Sequence, residues 1–151
     1  MLHEQIKNVI KPAMLTKDVV KLAVVRGLVA AFINELVATR RKPDEILTDD
    51  EVLAVIRRAA KQRQDSIKQF RLGGRDDLVQ QETAELEIIK TYLPPEFNQE
   101  ELKKLVAAKI KTLKITDQKD SGRVIGAVMK DIKGRADGNV IKSIVEKLLP
   151  K

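Results

Sequence analysis

Apolar side chains recur at intervals of three and four residues along almost the whole chain, the spacing of helices that bury one face. Leu2, Ile6, Val9, Ile10 and Ala13 form the first stripe. From Val19 to Val37 the chain is apolar nearly all round, which predicts a helix buried by several neighbours. Arg40-Arg41-Lys42-Pro43 closes it, with cations at the helix C-terminus and a proline just beyond. Thr48-Asp49-Asp50-Glu51 reads as a capping box opening a third helix, which runs to about Leu72 and stops at Gly73-Gly74. Asp76 and Asp77 open a fourth, through about Thr91. Pro94-Pro95 then removes two amide donors and pushes Leu93 out of helical geometry, predicting a stiff, extended joint. Beyond it, Asn98 with Glu101 caps a fifth helix whose inner face is Leu102, Leu105, Val106, Ile110 and Leu113. Thr116 is expected to cap a sixth helix reaching Ile132. Asp137, after the loop Lys133–Gly138, is expected to cap a seventh, lined by Val140, Ile141, Ile144, Val145, Leu148 and Leu149. The expected architecture is all-α: an N-terminal four-helix unit over residues 1–93, the Pro-Pro linker, and a C-terminal three-helix bundle over residues 94–151.

Composition narrows the chemistry. No cysteine is present among the 151 residues, so disulfides, thiolate metal sites and cysteine nucleophiles are excluded. The one histidine, His3, lies in a terminus expected to fray, which removes multi-histidine metal sites and argues against histidine acid–base catalysis. The longest uncharged run, Gly27 to Asn34, falls far short of the roughly 20 residues a bilayer span needs. No signal core or transit pattern opens the chain, so a cytoplasmic protein with no membrane partner is expected. The net charge of +7 is uneven: residues 95–151 carry 13 Lys/Arg against 8 Asp/Glu, whereas residues 1–94 carry 16 against 14. A basic half-chain suits a polyanionic partner.

Catalytic constellations are absent from the sequence. There is no glycine-rich phosphate loop and no nucleophile elbow. Asp49-Asp50, Asp76-Asp77 and Glu100-Glu101 all fall in first helical turns, where the helix dipole is reason enough for them. No active site, cofactor or metal is therefore expected. Basic stripes are the better lead. Lys119, Arg123, Lys130 and Lys133 share one side of the sixth helix at the spacing 0, 4, 11, 14. Arg57, Lys61, Lys68 and Arg71 repeat that spacing on the third helix as a second stripe. Gly122 and Gly126 border the first, and a mid-helix glycine costs on the order of 1 kcal/mol relative to alanine. Two readings account for them: tight packing against another helix, or a phosphodiester backbone lying along bare main chain. Lys133 and Arg135 add cations in the loop that follows. The aromatic side chains are Phe32, Phe70, Tyr92 and Phe97, none interleaved with the basic patches, so base stacking on single strands is disfavoured.

The segments Lys61-Gln62-Arg63-Gln64-Asp65-Ser66-Ile67-Lys68-Gln69-Phe70, Gly74-Arg75-Asp76-Asp77-Leu78, Ala84-Glu85-Leu86 and Tyr92-Leu93-Pro94 resemble the YqeY-like family. So do Asp120-Ser121-Gly122-Arg123-Val124-Ile125-Gly126-Ala127-Val128-Met129 and Lys133-Gly134-Arg135-Ala136-Asp137-Gly138, in the same order. The resemblance implies a helical architecture shared with the tail of the B subunit of the glutamyl/aspartyl-tRNA amidotransferase. That tail contacts tRNA, while amide transfer takes place in a separate cradle domain. The tail-like motifs are Gly122-Arg123-Val124 and Lys133-Gly134-Arg135-Ala136, with Lys-Gly-Arg replacing the tail's Lys-Gly-Lys and keeping the charge. Nothing resembles the cradle. The resemblance thus implies binding of tRNA or other structured RNA through Lys119, Gly122, Arg123, Gly126, Lys130, Lys133 and Arg135. Two alternatives stand beside it. One is an adaptor docking on an amidotransferase or aminoacyl-tRNA synthetase through the Gly122/Gly126 surface. The other is a carbon–nitrogen ligase using glutamine as amido-N donor, which the family label suggests.

Overall fold

The computed structural model describes residues 1–133 and 135–150, so Gly134 of the Lys133–Gly138 loop lies outside the described residues. Among these the chain is all-helical, with eight α-helices and one 3₁₀ turn. They fall into two compact units, Met1–Leu93 and the chain from Pro94 onward.

The first unit holds α1 (Leu2–Asn8), α2 (Ile10–Leu15), α3 (Val19–Ala38), α4 (Asp49–Leu72) and α5 (Asp76–Lys90). The expected first helix is therefore two, and the unit has five helices rather than four. Pro12 has no N–H to give the Asn8 carbonyl, so the ladder cannot continue smoothly. The turn tightens instead, with the Val9 N–H on the Ile6 carbonyl at 3.1 Å, before helical bonding resumes from the Ala13 N–H to Val9. The Thr48 capping box forms as read: the Thr48 hydroxyl accepts from the Glu51 N–H and the Glu51 carboxylate accepts from the Thr48 N–H at 2.8 Å. Gly74 supplies the left-handed residue (φ 70°) after α4.

α3 is buried by several neighbours, as expected, but not all round. Val24, Val25, Leu28, Phe32 and Leu36 face the core, but Val19 is 74% and Val37 56% exposed on the opposite side. The helix packs against α1, α2, α4 and α5 on one half of its circumference, and among the described residues of this unit none covers the other half. His3 is not in a frayed end either. It is buried, its ring centroid lies 5.0 Å from that of Phe32, and its Nδ1 accepts the Leu47 N–H at 3.0 Å.

Burial, and secondarily Lys7, holds the His3 pKa below its ordinary value against an opposing pull from Glu4. The unfolded chain then binds the proton more readily than the folded one. Stability is fully present above the unfolded value near 6.5 and is lost as pH falls below it toward the lowered folded value. His3→Leu should abolish that slope. It should also cost about 1–3 kcal/mol at neutral pH, because the buried Leu47 N–H loses its acceptor. Urea midpoints at mildly acid and mildly alkaline pH, read by the fluorescence of Tyr92, check both outcomes. Tyr92 is the chain's single tyrosine and packs on the first unit's core.

The second unit contains α6 (Gln99–Leu113), the 3₁₀ turn Gln118–Asp120, α7 (Ser121–Ile132) and α8 (Gly138–Leu148). Its core is built by Leu102 and Val106 of α6, Val124, Val128 and Ile132 of α7, and Ile141, Ile144 and Val145 of α8, with Ile115 and Leu149 closing it. Asn98 and Glu101 form the expected reciprocal cap, and Asp137 accepts from the Asn139 N–H at 2.8 Å as expected. The sixth helix starts later than read. Asp117, not Thr116, provides the cap, taking the Lys119 N–H at 3.0 Å. It opens a single 3₁₀ turn before α7 begins at Ser121. An Asx turn of this kind competes locally with helix start, which the periodicity does not register.

Candidate nucleic-acid interface

The core dictates which face of α7 is free. Val124, Val128 and Ile132 recur every four residues and are buried, and Ile125 and Met129 flank them, half-buried. Their opposite face carries Gly122, Arg123, Gly126 and Lys130, all exposed. Arg123 and Lys130 are two turns apart, about 10.5 Å along the axis, and point to nearly the same side. Among the described residues neither is held in an ion pair or a hydrogen bond. The one acid within α7, Asp131 at its end, is paired with Lys109 of α6 at 2.5 Å.

The two glycines settle one of the readings left open by the sequence. A Cβ built on Gly122 or Gly126 meets nothing within 4 Å. Among the described residues of the second unit no helix packs there, so close helix–helix approach is not what these glycines serve within the unit. They leave bare main chain beside two cations. Gly126→Ala should therefore meet no steric conflict and should stabilise the second unit by up to about 1 kcal/mol. Thermal melting checks this; a loss of stability would mean that the face is packed.

The other residues expected at the site are placed less uniformly. Lys119 is exposed but belongs to the 3₁₀ turn, off the α7 stripe. Lys133 is the left-handed C-cap of α7 (φ 50°), at the far end of the same face. Arg135 is committed elsewhere: its Nε and Nη2 donate to the Pro95 carbonyl at 3.2 and 2.7 Å, and its guanidinium lies 4.4 Å from the Phe97 ring centroid. It pins the start of the second unit to the loop before α8. α7 thus brings Gly122, Arg123, Gly126 and Lys130 together, with Lys119 and Lys133 at its two ends.

The second stripe lies on α4, in the first unit. Lys61, Lys68 and Arg71 are exposed there and Arg57 is half-buried. Glu82 and Glu85 of α5 turn to Arg63, and Asp77 to Arg75. Arg63 Nη1 donates to Glu82 Oε2 at 2.9 Å and to Glu85 Oε2, beside a cavity of about 300 Å³ lined by Leu28, Gln62, Arg63, Ser66, Glu82 and Ile89. This cluster was not anticipated, although a signal existed. Ile56, Ala60, Arg63 and Ile67 follow one helical stripe, and a charge in an apolar stripe needs a partner. Among the described residues no three His, Asp or Glu side chains are placed to hold a metal ion, and no helix is long and apolar enough to cross a membrane.

The model of the family described as "Yqey-like protein" matches residues 3–149. Among curated proteins the chain is similar to "Altered inheritance of mitochondria protein 41, mitochondrial" from several fungi. Identity to that of Pyrenophora tritici-repentis is 33% over 129 residues, covering 84% of this chain and 68% of that protein. Identity to that of Eremothecium gossypii is 36% over 114 residues, covering 74% and 60%. Identity to that of Saccharomyces cerevisiae is 37% over 89 residues, covering 58% and 46%. The aligned part thus spans about half to two thirds of these relatives. Their names overturn one expectation: they are mitochondrial proteins, and the cytoplasmic placement read from the absence of a targeting pattern is withdrawn.

Proposed function

The chain belongs to the YqeY-like family, and from that premise we propose that it is an accessory protein that binds structured RNA, tRNA foremost, without an active site of its own. The observation that carries this reading is the free face of α7, where Arg123 and Lys130 flank two glycines with open space above them. A polyanion can lie close to such main chain, with the two cations taking its phosphates. The tail-like motifs of the sequence favour tRNA among structured RNAs. The aromatics support shape recognition over base stacking. Phe32 is fully buried, Phe70 and Tyr92 are half-buried, and Phe97 lies under Arg135, so no exposed ring is offered to a base.

Retention of tRNA by the full chain across about 50–200 mM salt tests this reading. With three or four phosphate contacts the log–log slope should be about −2 to −3.5. Affinity that ignores salt, or absence of binding at the lowest salt, would overturn it. A second reading rests on the same open face. A helix of a partner such as an amidotransferase or synthetase would fit over Gly122 and Gly126, and Gly126→Leu would then abolish capture of that partner while leaving salt-dependent RNA retention in place.

A further inference from the structure

The exposed half of α3 has an order of its own. Val19, Ala23, Arg26, Ala30, Ile33 and Val37 follow one another at intervals of four and three, the seam of a two-helix coil. All six are exposed, with Val19 at 74% and Val37 at 56%, and they lie opposite the residues that α3 buries in its own unit. Arg26 is the one charge among them. Its Nη2 donates to the Met14 sulfur of α2 at 3.7 Å.

We propose that this seam is the interface of a homodimer in which α3 pairs antiparallel with α3 of a second copy. The pattern is self-complementary under a two-fold axis, as an isologous contact requires. In the antiparallel register centred on Leu28, Val19 meets Val37, Ala23 meets Ile33 and Arg26 meets Ala30, each from opposite copies. Long side chains thus face short ones and the two end layers are alike. A parallel pairing would set Arg26 against Arg26 and leave alanine against alanine. The 20-residue helix is about 30 Å long. One such pair buries an area near the lower end of specific interfaces, on the order of 1,000 Å², which makes the dimer reversible and its formation concentration-dependent.

Sedimentation velocity of the full chain, free of RNA, from about 1 μM to about 500 μM tests the proposal across the range expected for so small an interface. A monomer–dimer equilibrium is expected. Ile33→Glu should weaken it at least tenfold, and Ala23→Lys should weaken it as well. The double variant Ala23→Lys/Ile33→Glu should return close to the wild-type association, because in the antiparallel register position 23 faces position 33 of the other copy. These two positions are ten residues apart in one chain and cannot pair within it. Circular dichroism verifies that each variant folds. Val37→Glu takes the place of Ile33→Glu should the latter unfold, with Val19→Lys as its compensating change. A monomer at every concentration, a dimer indifferent to the single changes, or a double variant no stronger than either single one would overturn the proposal.

Discussion

Arg63→Ala is expected to destabilise the first unit by about 2–4 kcal/mol. Arg63 lies between α4 and α5 and neutralises Glu82 and Glu85 together. The Glu85 side chain is 11% exposed, so water replaces the lost guanidinium only in part. Removing one member of such a cluster leaves two carboxylates facing each other at the edge of a cavity without a counter-charge. The partial exposure of Arg63 and Glu82 sets the expected cost below that of a fully enclosed pair. Arg63→Met/Glu82→Gln/Glu85→Leu should recover most of the loss, since no carboxylate is then left without a counter-charge. Urea unfolding followed by Tyr92 fluorescence measures both, and a midpoint unmoved by Arg63→Ala would show the cluster to be a surface ion pair of little consequence.

Arg123→Glu/Lys130→Glu is expected to lower tRNA affinity about 100-fold, because two cations that contact phosphate become anions that repel it. Both side chains are exposed and without partners among the described residues, so stability should stay within about 0.5 kcal/mol. The loss should be alike for different RNA sequences, since phosphate contacts carry no base information. Arg135→Ala should behave in the opposite manner. It removes two hydrogen bonds to Pro95 and the contact with Phe97, and so should reduce the melting temperature more than it reduces RNA affinity.

The helices were legible because each carries its own boundaries. Thr48 with Glu51, Asn98 with Glu101, and Asp137 are side-chain caps whose partners lie within three residues, and local signals of this kind survive in a linear reading. What was misread depends on distant residues or on weak local competition. His3 is ordered by Leu47 and Phe32, far along the chain, and no spacing announces that. α3 is apolar on two sides, and periodicity cannot tell a helix buried twice from one buried once and left open. The division of the first helix at Pro12 and the 3₁₀ start of α7 are backbone adjustments of one turn, too short to disturb a stripe of apolar positions. At the candidate site the spacing of Gly122, Arg123, Gly126 and Lys130 is a property of one helix and could be read directly. The engagement of Arg135 by Pro95, forty residues away, could not.

The free face of α7 is tested most directly by the salt dependence of tRNA binding in the wild type and in Arg123→Ala/Lys130→Ala. Loss of two phosphate contacts predicts a log–log slope shallower by about 2 in the variant, with the two lines converging as salt rises. Parallel lines of equal affinity would contradict the assignment of these two cations to the RNA backbone.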